Sequence, residues 1–256
     1  MDSKFNKIAV CLSGHMRTFL ETSDILKRDF LDNVAESYDF FIYTTRRKDW
    51  RVGKGETLRP GPLLTDDELE FLYQTYDPKR IVIDEKDFDS VEGHSLDNNK
   101  RKTMLTRIKR ADMLRREYSS DTGVEYDQVI RMRPDQLILT PFEDLSKIQP
   151  DKLAILPYGR VHNGYSDTFA MGPPSLIDVY CNICDHSDEY LEKPYWGHST
   201  KIELLLMNYL KDRDIPTYFL EDLNILIKRI HGYIGDRNYW FQDQVKFKIP
   251  ATGEQL

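Results

Sequence analysis

The sequence predicts an α/β protein, with a mixed, mostly parallel central sheet flanked by helices in a single compact domain spanning residues 1–256. Three observations predict it. Short apolar runs rich in β-branched and aromatic residues alternate with longer stretches of helical periodicity through the first two thirds of the chain. The length, 256 residues, is enough to bury one sizeable core. No segment repeats another, and none is of low complexity.

The elements follow in order. KIAVCL (7–12) places five apolar residues in a row and reads as a buried strand. It runs into LSGHMRTF (12–19), where Ser13 and Gly14 end the strand and His15 and Arg17 follow at once. A first strand opening into a loop and helix is where open α/β sheets bind ligands, and cationic residues there suit an anion. Thr18 to Val34 reads as helix, and YDFFIYTT (38–45) as a second buried strand. Residues 46–63 carry six basic and two acidic side chains with three glycines and two prolines, the composition of a long functional loop.

TDDELEFLYQTY (65–76) begins with Thr65 as N-cap and acidic residues in its first turn, so it is a helix. RIVID (80–84) is a strand. Residues 98–118 set Met104, Leu105, Ile108, Ala111, Leu114 and Tyr118 on one helical face. YDQVIRMRPDQLIL (126–139) is a strand that stops at Pro134, which has no N–H for a ladder. KLAILPY (152–158) and DTFAMG (167–172) are short strands. Helices at about 174–185 and 199–211, a strand at IPTYFLE (215–221) and a tail complete the chain.

Composition excludes several classes. A net charge of −7 argues against nucleic-acid binding driven by phosphate contacts, while leaving room for a local basic pocket. No run approaches the roughly 20 apolar residues of a membrane span, and MDSKFNK has no apolar leader segment. Three cysteines are too few for a disulfide framework, so a cytoplasmic setting is expected. The aromatic share, 12%, favours a ring-lined site.

Three stretches carry candidate chemistry. In RMRPD, strand alternation sets Arg131 and Arg133 on one side, and Pro134 turns Asp135 into the crevice at the carboxyl edge of the sheet. Arginine grips phosphate bidentately, and the aspartate suits a divalent ion or a sugar hydroxyl; the same residues also read as an ion pair capping a strand. In NGYSDTFAMG (163–172), Asp167 follows a turn and opens a strand, as a general base or as a turn-stabilising side chain. Glu203 lies in an otherwise apolar helix after His198 and Ser199, facing a polar cleft or solvent. Cys181 and Cys184 have no second pair for zinc and read as packing residues. No dinucleotide fingerprint, Walker loop or nucleophile elbow is present.

The blocks IAVCLSGHMRTF, YDFFIYTT, YDQVIRMRPD and YSDTFAMGPPSLIDVY, in that order over residues 7 to 210, resemble a family of glycosyltransferases. These are found in bacterial polysaccharide loci and in large DNA viruses, and are similar to nucleotide-sugar-dependent GT-A enzymes. The resemblance implies a GT-A-like, Rossmann-like fold with a nucleotide-sugar-binding half at about 1–140 and an acceptor half at about 141–256. It implies a UDP-linked or other nucleotide-sugar donor, a glycan acceptor, and a Mn2+ or Mg2+ ion held at Asp135. Ser13, Gly14, Arg17, Thr44, Thr45, Arg131, Arg133 and Asp135 fall where the donor binds, and Asp167, then Glu203, where an inverting enzyme keeps its base. Two other classes stay open: a different phosphate-ester transferase on an α/β sheet, and a non-catalytic nucleotide- or carbohydrate-binding protein.

Overall fold

The computed structural model describes residues 4–48, 50–52, 58–85, 96–156, 164–191, 202–229 and 232–233. Its centre is strand β1 (Phe5–Ser13), in which Ile8 through Leu12 have no exposed surface. A strand buried on both faces loses the period-2 alternation of a half-exposed one, which is why this run is continuously apolar. After β1 come helix α1 (Phe19–Leu26), a π-turn (Lys27–Leu31) and a short α2 (Asp32–Val34), so the expected helix over Thr18 to Val34 is interrupted in its middle. Strand β2 (Ala35–Thr45) follows and pairs parallel with β1, with Val10 opposite Phe40 and Ser13 opposite Tyr43.

The basic stretch 46–63 is more ordered than a plain loop. It holds a small antiparallel pair, β3 (Trp50–Val52) and β4 (Leu58–Pro60), and a bridge between Arg47 and Leu63. Helix α3 (Asp66–Tyr76) starts with the expected Thr65 cap, in a full capping box: the Thr65 hydroxyl accepts from the Glu68 N–H at 3.2 Å, and the Glu68 carboxylate accepts from the Thr65 N–H at 2.9 Å. Strand β5 (Arg80–Asp84) pairs parallel with β2 and forms one edge of the sheet.

Helix α4 (Leu96–Thr122) is longer than its apolar stripe. Leu105, Ile108 and Ala111 are buried, and Met104, Leu114 and Tyr118 pack beside them as the spacing predicts. Strand β6 (Gln128–Met132) is parallel to β1 on the side opposite β2. Here the chain departs from a single strand over 126–139. It leaves the sheet at Arg133, and β7 (Gln136–Ile138) pairs instead with β11 (Ile225–Arg229), itself paired with β12 (Gly232–Tyr233). The residues expected to be tail thus supply two of the three strands of this second sheet.

A 3-10 turn (Leu145–Lys147) leads to β8 (Leu153–Ile155) and β9 (Phe169–Gly172). Strand β9 runs antiparallel to both β6 and β8, and β10 (Thr217–Phe219) is parallel to β8 at the far edge. Between them lie α5 (Pro174–Cys181), α6 (Ile183–Leu191) and α7 (Ile202–Lys211). The expected helix at 174–185 is two helices broken at Asn182, and Ser199, the expected cap of α7, lies outside the described residues, as does His198.

The seven-stranded sheet therefore runs β10-β8-β9-β6-β1-β2-β5, mixed but mostly parallel. Strand alternation divides the core in two. Val10, Leu12, Phe40, Ile42, Ile130 and Met132 pack against α1 and the π-turn, while Ala9, Cys11, Phe41 and Val129 pack against the α4, α5 and α7 side. Among the described residues no helix is long and apolar enough to cross a membrane.

Candidate functional site

Strand order places the site. β2 lies on one side of β1, and β6, far away in sequence, on the other. Such a switch point opens a crevice outside the carboxyl ends of the two strands. The end of β1 and the end of β6, Gly14 and Arg133, therefore meet there, and the start of antiparallel β9 joins them because Phe169 pairs with Met132.

The exit from β1 requires glycine. Gly14 has φ +123°, a conformation that any other residue adopts only under strain. Its carbonyl accepts from the Thr44 hydroxyl at 2.8 Å, and its N–H donates to the Tyr43 carbonyl at 3.3 Å. His15, the unexplained residue of the sequence motif, is a structural link. Its Nδ1 lies 2.8 Å from the Arg47 carbonyl, so Nδ1 carries the proton, and Nε2 faces the Arg107 guanidinium at 3.3 Å as acceptor. The Thr45 hydroxyl sits 3.2 Å from the same ring and 3.0 Å from the Arg47 carbonyl. Thr44 and Thr45 are completely buried, so they hold the loop from beneath and present no side chain to a nucleotide.

At the centre of the crevice Asp135 is completely buried between two arginines. Arg133 grips it with both Nε (2.8 Å to Oδ1) and Nη2 (2.7 Å to Oδ2), and Arg17 Nη1 donates to Oδ2 at 2.8 Å. Burial pushes the Asp135 carboxyl up, but the guanidiniums of Arg133 and Arg17 outweigh it and hold the group well below the usual carboxylate range. The trio carries two positive charges against one negative. A divalent ion does not fit the expected position on Asp135, because both carboxylate oxygens are taken by guanidinium N–H groups and neither is accessible. Among the described residues no cluster of three His, Cys, Asp or Glu side chains could hold a metal.

The turn around Asp135 is fixed at three further points. The Thr22 hydroxyl of α1 donates to the Pro134 carbonyl at 2.7 Å. Gln136, buried at the start of β7, accepts from the Arg133 N–H at 3.0 Å and donates through Nε2 to the Thr168 hydroxyl at 3.1 Å. Arg131 points beneath the crevice and not into it. It donates to the Asp167 carbonyl and, at 3.3 Å, to the Ser13 hydroxyl, with 1% of its surface exposed.

Asp167 stands on the turn before β9, which is pinned on every side. The Ser166 and Thr168 hydroxyls lie 3.1 Å apart, and the Thr168 N–H donates to Ser166 Oγ at 3.3 Å. The Tyr165 N–H donates to the Glu203 carbonyl at 2.9 Å, and its ring packs edge-on against Phe219. Gly164 lies so close to the first turn of α7 that a Cβ there would be 2.4 Å from the Glu203 carbonyl carbon. In this hydrogen-bonded turn the Asp167 carboxylate, half-buried, has no hydrogen-bond or ion-pair partner among the described residues. Glu203 is brought to the same turn through its backbone.

Other expected cations are occupied elsewhere. Arg46 pairs with Asp66 at 3.3 Å, Lys48 with Glu68, and Arg47 donates to the Gly61 carbonyl at 2.7 Å. The first part of the basic loop is thereby tied to the acidic N-terminus of α3. At the next strand ends the Tyr43 hydroxyl donates to Asp84 at 2.7 Å, under the Arg110 guanidinium, which lies 5.3 Å from the ring. Sequence reasoning missed Gln136 and the hydroxyls of Ser166 and Thr168. Only the polar character of Gln136 beside RPD, inside an apolar strand pattern, signalled any of them.

Fold and site together define an α/β protein with a buried arginine–aspartate cluster at the switch point of its sheet. No protein-family model matches the sequence, and no curated protein matches it. Among solved structures the chain is similar to the apo-form glycosyltransferase GlyE of Streptococcus pneumoniae TIGR4, at 10% identity and a TM-score of 0.40. The match covers 84% of this chain and 45% of that one, so this chain spans less than half the length of that protein.

Proposed function

We propose that the protein is a glycosyltransferase that moves a sugar from a nucleoside-diphosphate sugar, UDP-linked in the first instance, to a hydroxyl of a glycan acceptor. One observation carries this reading. Two arginines held by a buried aspartate, and a carboxylate on a hydrogen-bonded turn with no partner among the described residues, lie at the ends of two paired strands, where such a sheet binds ligands.

The chemistry needs both. The acceptor oxygen forms its bond to the anomeric carbon as the bond to the diphosphate oxygen breaks. The electron pair leaves with the nucleoside diphosphate, and the acceptor's proton passes to a base. Arg17 and Arg133 supply positive charge where the leaving diphosphate gains negative charge. Asp135 fixes both guanidiniums in place before substrate arrives, so little reorganisation accompanies the reaction. Asp167 takes the acceptor proton, since its carboxylate has no partner among the described residues. A base on the face of the sugar away from the leaving group corresponds to inversion.

The test is a thermal-shift panel of nucleoside diphosphates and nucleotide sugars, each with and without Mn2+ or Mg2+, followed by donor-hydrolysis and transfer assays on the hits. A raised melting temperature with at least one nucleotide sugar, and turnover lost in Asp167→Ala, is the expected result. No shift with any of them overturns the reading. Binding without turnover assigns the chain to the non-catalytic class instead.

A further inference from the structure

Arg131 is an anomaly on stability grounds. The residue is 1% exposed, yet among the described residues no carboxylate pairs with its guanidinium; its acceptors are the neutral Asp167 carbonyl and the Ser13 hydroxyl, and its Nε has no acceptor there. The Tyr180 hydroxyl, buried on the same side, lies against this guanidinium and is likewise neutral. An uncompensated buried charge costs several kcal/mol, and an apolar side chain of similar volume at a strand centre is neutral or better. What the arginine achieves is a link: one planar group bridges the end of β1 to the turn that carries Asp167. Gln136 makes a parallel link, from the Arg133 N–H to Thr168 on the far side of the same turn.

We propose that Arg131 and Gln136 are positioning residues that brace the Asp167 turn against the two anion-binding turns, so that the carboxylate is held at a fixed place relative to Arg17 and Arg133. The inference rests on the reading of Asp167 as the base. Neither side chain is open to solvent: Arg131 and Gln136 are each 1% exposed. Each side chain spans two segments, at Ser13 and Asp167 or at Arg133 and Thr168, that no sequence-local contact joins.

The experiment compares Arg131→Met, Arg131→Lys and Gln136→Met with the wild type in three measurements: melting temperature, kcat and KM for the nucleotide-sugar donor identified by the panel, and backbone hydrogen exchange over residues 165–169. For Arg131→Met the brace requires a kcat lowered about 100-fold, the scale of a misplacement near 1 Å, with donor KM within about threefold. It also requires faster exchange at 165–169 and an unlowered melting temperature. Arg131→Lys, which keeps the charge and part of the reach, should recover about tenfold of the lost kcat. Gln136→Met should show the same pattern at smaller size, and it carries the test if Arg131→Met fails to fold. Unchanged exchange in these variants, or a loss that appears in KM with kcat intact, overturns the proposal. If the wild type turns over no nucleotide sugar, the functional reading fails but the exchange measurement still decides the brace.

Discussion

Two turns at the ends of paired strands treat the same kind of side chain in opposite ways. After β6, Asp135 is completely enclosed and gripped by two guanidiniums; before β9, Asp167 is half-buried and its carboxylate has no partner among the described residues. The first carboxylate is spent on holding cations in place, and the second is left with its lone pairs available. Their neighbours differ in the same sense. The Asp135 turn is gripped at its carboxylate by two guanidiniums, whereas the Asp167 turn is held away from its carboxylate, by Arg131 on the Asp167 carbonyl, by the Ser166 and Thr168 hydroxyls and by the Tyr165 N–H on Glu203. A carboxylate at a sheet edge is therefore not a role in itself; its partners assign one.

Substitution can break that contrast, and the largest effect belongs to the free carboxylate. Asp167→Ala should lower transfer by about 10²–10⁴-fold while nucleotide affinity, read by calorimetry, stays within about threefold. Glu203→Ala, its companion on α7, should keep transfer within about tenfold of wild type. The opposite ranking of the two variants would move the base to Glu203.

Next comes the engaged carboxylate. Asp135→Ala removes the buried carboxylate from between Arg17 and Arg133 and should destabilise the fold by about 3–5 kcal/mol, measured by urea unfolding. Because the folded-state carboxyl is held low, its contribution is fully present above about pH 4 and is lost as acid titrates the unfolded chain first. The stability gap between wild type and Asp135→Asn should therefore narrow below about pH 4, and a gap that widens there would remove the ion-pair account.

A third change sharpens the difference in packing. Gly164→Ala forces a methyl group against the α7 backbone and should cost about 1–3 kcal/mol, seen as a lowered melting temperature. Smallest is Thr44→Val, which deprives the Gly14 carbonyl of its 2.8 Å partner and should cost about 1 kcal/mol in the same assay.

Much of the architecture was legible in the residues. Ile8 through Leu12 are buried on both faces as an unbroken apolar run demands, Thr65 caps its helix, and Pro134 ends its strand. The misses have physical reasons. The apolar periodicity of 18–34 passes through the π-turn at Lys27–Leu31 unaltered, because one widened turn shifts the stripe without removing it. QLIL after RMRPD has strand composition whichever sheet it joins, and nothing local says that β7 pairs with β11 some ninety residues on.

By itself the sequence determined that an α/β sheet forms, that its first strand ends at a glycine, and that arginines and aspartates gather at its carboxyl edge, since each follows from composition and period within a dozen residues. Only the tertiary structure decided which charged group does what. Arg131 and Arg133 are two residues apart on the chain, yet one lies beneath the crevice holding a carbonyl and the other at its centre holding Asp135. Strand alternation predicts a shared side, but the chain turns out of the sheet at Arg133. Arg133 finds its partner two residues on, but Arg131 and Arg17 find theirs more than thirty residues away in sequence, and that information is carried by packing, not by spacing.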